Sequence, residues 1–263
     1  MMDKLSTGGL FSLERRVAIV TGASRGIGAS IAAGLAAAGA VVIGIGRSSQ
    51  PDEGLPETWE YRSLSVLDED GFERLCDEAC TTHGTLDILV NAAGVSFPAE
   101  TTRSELIALF DRTLLLGLRA PFVCCVLAAE RMRPGGRGSI INVTSINSVL
   151  GFPNNPGYVA AKGGLRQLTK SLAIDLAEAN IRVNNLAPGY IRTAMTEASY
   201  RDPERHAQRL AHMIIPRWGH PCDLIGAAIF LASDASSYMT GQDLFVDGGW
   251  TAKGLTSAPP SPQ

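Results

Sequence analysis

Seven short apolar runs recur along the chain, and this repetition restricts the fold more than any other feature. They are VAIVTG (17–22), VVIGIG (41–46), EYRSLSV (60–66), LDILVNAAG (86–94), SIINVTS (139–145), RVNNLAPG (182–189) and DLFVDGG (243–249). Several are apolar on both faces, which a strand tolerates only in a sheet covered by helices on both sides. Helical patterns fill the spaces between them. Residues 26–38 are Ala-rich, and 71–83 carry Phe72, Leu75, Cys76 and Ala79 at helical spacing. Two long patterns span 104–132 and 157–179, and a short one, 223–233, has Asp223 near its start, where the helix dipole favours an acid. Alternation of this kind predicts an α/β architecture: a doubly wound, seven-stranded parallel sheet with helices on both faces.

No linker or repeat interrupts residues 12–252, so one domain is expected there, preceded by an extension (1–11) and followed by a Pro/Ser tail (253–263) expected to be disordered. Residues 190–220 break the alternation and hold two prolines. An insertion near the carboxyl ends of parallel strands is placed to act as a lid over a ligand.

Composition removes several function classes. A net charge of −3 argues against a nucleic-acid surface. No apolar run reaches ~18 residues, so no membrane span is expected, and the start lacks a signal-peptide core. Cys76, Cys80, Cys124, Cys125 and Cys222 show no Cys-x-x-Cys pattern and no histidine at ligand spacing, which fits reduced cytoplasmic thiols and no metal site. His206 and His212 lie on a polar, Arg-containing stretch and are expected in solvent.

The first run leads into TGASRGIG (21–28), with Gly22, Gly26 and Gly28 opening the Ala-rich helix. A strand–glycine turn–helix unit suits a dinucleotide pyrophosphate, because the backbone approaches closely and the helix N-terminus attracts negative charge. The second run decides between cofactors. An acid at its end would hold the ribose 2′-hydroxyl of NAD. Gly46 stands there instead, followed by Arg47 and Ser48, with Arg25 in the glycine loop. Two guanidiniums and a hydroxyl suit a 2′-phosphate, so NADP(H) is favoured and NAD(H) remains the alternative.

Tyr158 and Lys162 stand four apart in GYVAAKGG, on one face of the predicted helix. A nearby ammonium stabilises a phenolate, whose free pKa of ~10 is too high for proton exchange at neutral pH. Ser145 closes the preceding strand at its carboxyl edge, where its hydroxyl could hold a carbonyl oxygen.

These pieces together resemble the classical short-chain dehydrogenase/reductase family: TGASRGIG (21–28), NAAG (91–94), Ser145, Tyr158-x-x-x-Lys162 and APGYIRT (187–193), in order, over about residues 12–252. The end of the chain, VDGGWTAKG, most resembles the gluconate dehydrogenase and oxoacyl-carrier-protein reductase branches. The resemblance implies a single-domain Rossmann fold and hydride transfer between a nicotinamide and a ketone or secondary alcohol. It implies that Tyr158 is the general acid/base, that Ser145 orients the substrate oxygen, and that Lys162 binds the nicotinamide ribose and lowers the Tyr pKa. The implied cofactor site adds Ser24, Ile27, Val66, Asn91, Ala92, Gly94, Pro188, Gly189, Ile191 and Thr193 to Gly22, Arg25, Gly26, Gly28, Arg47 and Ser48. The expected substrate pocket is Ser145, Ile146, Asn147, Phe152, Tyr158, Tyr190 and Met195, a mixed lining for a ketone or alcohol with an apolar part. A homotetramer is implied as well, with the helices 104–132 and 157–179 meeting their mates, although Leu168, Leu172 and Leu176 could equally face the chain's own sheet.

Two positions depart from the family pattern. Ser65 replaces an Asp that contacts adenine, and Gly117, in RTLLLGLRAPF, replaces the Asn that supports a helix kink and a water in the proton relay. Three readings of Gly117 follow: a second water fills the gap, space is made for cofactor or substrate, or the chain binds cofactor but reacts poorly as a nucleotide-sensing or scaffold subunit. With Ser145, Tyr158 and Lys162 intact, a working enzyme is expected, and Gly117→Asn is expected to raise its turnover.

Overall fold

The computed structural model describes residues 7–52, 59–94 and 102–254; the rest of the expected tail and N-terminal extension lies outside these. The chain runs through α1 (Thr7–Phe11), β1 (Val17–Thr21), α2 (Gly26–Ala37), β2 (Val41–Gly46), β3 (Trp59–Ser63), α3 (Glu69–His83) and β4 (Ile88–Asn91). It continues through α4 (Arg103–Leu114), α5 (Ala120–Met132), β5 (Gly138–Val143), α6 (Pro156–Asp175) and β6 (Ile181–Pro188). The last elements are α7 (Glu197–Arg201), α8 (Pro203–His212), α9 (Ile225–Ala232) and β7 (Asp243–Val246).

All seven strands join one parallel sheet in the order β3-β2-β1-β4-β5-β6-β7. Each central strand divides its side chains by the period of two. Val17 and Ile19 face a core with Phe72, Leu75, Cys124, Ala128 and Leu172, contributed by α3, α5 and α6. Ala18 and Val20 face the opposite core, where Ile31, Leu35, Ala228 and Leu231 come from α2 and α9. The double cover explains why the runs are apolar on both faces. Leu172 and Leu176 are buried in the first core with Leu168 packed against it, which settles their direction toward the chain's own sheet.

The long helical pattern 104–132 is not one regular helix. A π-helical turn, Leu115–Arg119, separates α4 from α5, and Ala120 N donates to the carbonyl of Leu115. Gly117 is at its centre. A Cβ on Gly117 would stand 3.0 Å from the Ala161 Cβ of α6, and one on Gly164 would stand 3.0 Å from Leu118 Cδ2. Small residues therefore let the π-turn lie directly against the helix that carries Tyr158 and Lys162. This is a fourth role for Gly117, beyond the three the sequence suggests.

The helix Arg103–Gly135 is long and apolar enough to cross a membrane by length and composition, contrary to the expectation from contiguous apolar runs. In this fold Cys124, Cys125, Ala128, Ala129 and Met132 of that helix pack into the sheet's core instead. The five cysteines are free thiols, and burial pushes Cys125 up to about 12.

Candidate active site

Strand order reverses at β1, which pairs β2 on one side and β4 on the other. Loops leaving β1 and β4 part there and open a crevice, as in other doubly wound sheets. A cleft of about 500 Å³ runs along the carboxyl ends of the strands. Its floor begins with Gly22, whose φ of 70° favours glycine. A Cβ at Gly22 would stand 2.7 Å from Ala93 N, so the β1 and β4 loops could not approach with a larger residue. Beyond it, α2 begins with no side-chain cap on its first-turn N–H groups and no acid in that turn. Uncapped N–H groups beside a glycine-lined cleft fit a phosphate.

The end of β2 fits a phosphorylated ribose better than a bare one. Gly46 is buried, and a Cβ there would stand 2.7 Å from Tyr61 Oη and 3.2 Å from Ser24 Cβ. The Tyr61 hydroxyl is fixed, since it donates to the Ser48 carbonyl at 2.9 Å. An acidic side chain is thus excluded at the position that would hold a ribose diol. Arg47 is exposed at the cleft edge, and Arg25 Nη1 pairs with Asp52 Oδ2 at 3.0 Å.

At the other end, β5 delivers Ser145 and α6 delivers Tyr158 and Lys162 to the same cleft. Pro156 in the first turn of α6 fixes φ where no N–H is needed, and Tyr158 stands in that same first turn. Ser145 Oγ accepts from Asn147 N at 3.1 Å and also hydrogen-bonds Tyr158. Lys162 is buried, its Nζ donates to the Val143 carbonyl at 2.7 Å, and burial lowers it to about 8. Nζ lies 5.7 Å from the Tyr158 ring centre. Burial raises the Tyr158 hydroxyl above its usual value of 10.0, opposed by the Ser145 hydrogen bond. The expected lowering of Tyr158 by Lys162 is therefore not found in this structure: burial and the Ser145 hydroxyl act on Tyr158, and the ammonium is engaged by the Val143 carbonyl.

Ser145, Tyr158 and Lys162 thus open together on a glycine-floored, Arg-rimmed crevice. A family model described as enoyl-(acyl carrier protein) reductase matches residues 22–251. The chain belongs to the short-chain dehydrogenase/reductase family. It is an oxidoreductase acting on an alcohol/carbonyl pair. It is 38% identical over 252 residues to a gluconate 5-dehydrogenase of Gluconobacter oxydans (strain 621H), covering 92% of this chain and 97% of that one. It is also 38% identical over 248 residues to a cis-4-hydroxycyclohexanecarboxylate dehydrogenase of Sinomonas cyclohexanicum, covering 92% and 98%. Among solved structures, a gluconate 5-dehydrogenase from Burkholderia cenocepacia J2315 in complex with NADP and tartrate superposes with a TM-score of 0.86 at 34% identity, covering 94% of this chain and 100% of that one.

Within this short-chain dehydrogenase/reductase, most of the expected cofactor residues line the cleft. Gly22, Ser24, Arg25, Gly26, Ile27 and Gly28 form one end; Arg47, Val66, Ala92 and Gly94 one side; Pro188, Gly189, Ile191 and Thr193 the other. Asn91 does not line it. Its amide donates to Asn142 Oδ1 at 2.9 Å, and the chain continues through Thr169 and Asn185 to Asp243, which Arg166 caps. Asn91 is thus the inner end of a buried polar chain crossing β4, β5 and β6 under the cleft. Ser48 is also off the lining and serves through its carbonyl. Ser65 caps its own turn, with Oγ accepting from Leu67 N at 3.2 Å.

Of the expected substrate residues, Ser145, Tyr158 and Met195 line the cleft, whereas Ile146 is buried and Asn147 is tied to Ser145. Phe152 and Tyr190 instead enter an aromatic wall beside it. Tyr190 meets Phe152 (6.4 Å between ring centres), Trp218 (5.2 Å) and Trp250 (4.8 Å). His206 and His212 are not solvated as expected. His206 stacks on Trp218, and His212 packs against Trp250 at 4.3 Å. The sequence did not reveal the wall's Trp250 and Arg209; a tryptophan directly after the VDGG turn was the available signal. Leu116, from the π-turn, and Asp52 also line the cleft unforeseen.

Proposed function

We propose that this chain reversibly oxidises a secondary alcohol of a hydroxy acid to the ketone, using NADP(H). The observation that carries the reading is the Ser145–Tyr158–Lys162 set at the mouth of a cleft whose far end excludes an acid at Gly46 and presents Arg25 and Arg47. The Burkholderia structure is a complex with NADP and tartrate, and the relatives are dehydrogenases of carboxylate-bearing compounds, gluconate and cis-4-hydroxycyclohexanecarboxylate. Gly22, Gly26 and Gly28 with the α2 N-terminus would hold the pyrophosphate, Arg25 and Arg47 the 2′-phosphate, and Lys162 the nicotinamide ribose. When bound, the nicotinamide accepts or supplies the hydride.

Around that exchange the chain's own groups handle the oxygen. Ser145 Oγ donates to the substrate oxygen and orients it. Tyr158 Oη gives a proton to that oxygen in reduction and takes one from it in oxidation. A hydroxyl raised by burial rests protonated, ready for reduction, so oxidation gains rate as pH rises. Lys162, buried and cationic near neutral pH, keeps Nζ on the Val143 carbonyl beside the Tyr158 ring, where it is placed for the ribose. Packing against α6 accounts for Gly117 without a non-catalytic scaffold role.

We also place a second copy of the chain, within a homotetramer, over the exposed Leu106, Ile107, Phe110, Phe122 and Val126 of α4 and α5. The test of function is a panel of gluconate, its keto product and neutral ketones with NADPH and NADH. NADP-dependent turnover of the acids supports the reading, and tight NADPH binding with no turnover of any substrate overturns it.

A further inference from the structure

The segment 190–220 carries five arginines, and four have carboxylate partners. Arg192 and Arg201 share Glu197, Arg205 pairs with Asp202, and Arg217 pairs with Asp223. Arg209 has no carboxylate partner among the described residues. Its guanidinium carbon lies 4.9 Å from the centre of the Tyr190 ring, and Nη1 donates to the Arg205 carbonyl at 3.0 Å. Its Nε is buried with no hydrogen-bond partner. A buried donor left unmade is costly and calls for a partner, whether an ordered water, an ion or a ligand.

The surroundings say what kind of ligand. Tyr190 directly follows Gly189 of the cleft, and Phe152, its ring neighbour, lies seven residues beyond Ser145. The wall that holds Arg209 therefore adjoins the cleft where Gly189 leads into Tyr190. Asp247, packed against Gly189, is no partner for it, since its oxygens accept from Gly249 N, Thr251 N and Thr251 Oγ1. Stacking on Tyr190 holds the guanidinium plane, and a fixed planar fork matches a carboxylate.

We propose that Arg209 binds the substrate carboxylate and makes the enzyme select hydroxy acids over neutral alcohols. Arg209 then fixes the far end of the substrate while Ser145 and Tyr158 hold the reacting oxygen, so that its contribution falls on binding more than on the chemical step. The inference rests on the hydroxy-acid reading above, and its test separates the two.

Gluconate and gluconamide, which differ only in the charge of the acid group, are compared with NADP in the wild type, Arg209→Met and Arg209→Lys, with NADPH binding followed by fluorescence. In Arg209→Met the KM for gluconate is expected to rise ~10- to 100-fold, the loss of a charge-assisted pair, with kcat changed little. Its gluconamide kinetics and NADPH affinity stay those of the wild type, and Arg209→Lys falls between. Equal losses on acid and amide mark a structural role and overturn the proposal, as does an unchanged KM for gluconate. A wild type that treats acid and amide alike refutes the hydroxy-acid reading itself, and Arg209 with it.

Discussion

Gly117→Ala is expected to leave the protein no more stable or to destabilise it, although the same change in an ordinary helix stabilises by ~1 kcal/mol. The new methyl would stand 3.0 Å from Ala161 Cβ, on a fully buried neighbour with no torsion to rotate away. Overpacking of this kind costs ~1–3 kcal/mol, so it exceeds or cancels the propensity gain. Removing the opposing methyl reverses the sign: in an Ala161→Gly background, Gly117→Ala keeps only the gain of ~1 kcal/mol. The coupling energy of the cycle is then ~1–3 kcal/mol, readable from urea midpoints of the four proteins by tryptophan fluorescence. The same change in stability in both backgrounds would refute the close-packing account. The cycle also bears on turnover. Asparagine at 117 presses on the residue next to Lys162, so Gly117→Asn alone is expected to slow the enzyme, against the expectation from the family's proton relay. Only with Ala161→Gly is the relay residue expected to help.

Three further outcomes follow from the site. Arg47→Ala is expected to weaken NADPH ~10-fold or more while leaving NADH nearly unchanged, checked by cofactor titration. Gly46→Asp is expected to lose NADPH without gaining NADH until Tyr61→Val makes room, because the added Cβ meets Tyr61 Oη at 2.7 Å. Lys162, lowered from 10.5 to about 8, is penalised by burial while charged. The unfolded chain holds the extra proton between those values, so wild-type stability gains as pH rises from about 8 to 10.5 relative to Lys162→Met. Parallel denaturant curves for the two proteins across that window check it.

The central strands were legible because burial on two faces leaves an apolar signature in them, as in Val17–Thr21 and Ile88–Asn91, whereas the edge strand Trp59–Ser63 is mostly polar and exposed. The Gly22–Gly28 turn, Ser145, Tyr158 and Lys162 were legible because their spacing is local and each sits at an element end. What escaped depends on contacts distant in sequence. Asn91 turns to Asn142, 51 residues away, and that choice of partner leaves no mark near Asn91 itself. His206 and His212 lie on a polar helix, yet Trp218 and Trp250 arrive from other segments to cover them. Gly117 looked like a missing side chain because its neighbour, Ala161, is supplied by another helix. Asp52 pairs with Arg25 across the loop after β2, a contact set by where that loop returns.

Tyr158→Phe tests the central claim most directly. The substitution removes one hydroxyl from a partly buried ring and leaves its packing intact. Measured as NADP-dependent oxidation of gluconate, activity is expected to fall by ~10²-fold or more, with NADPH affinity and melting temperature kept. A variant that turns over at the wild-type rate would contradict the assignment of proton transfer to Tyr158.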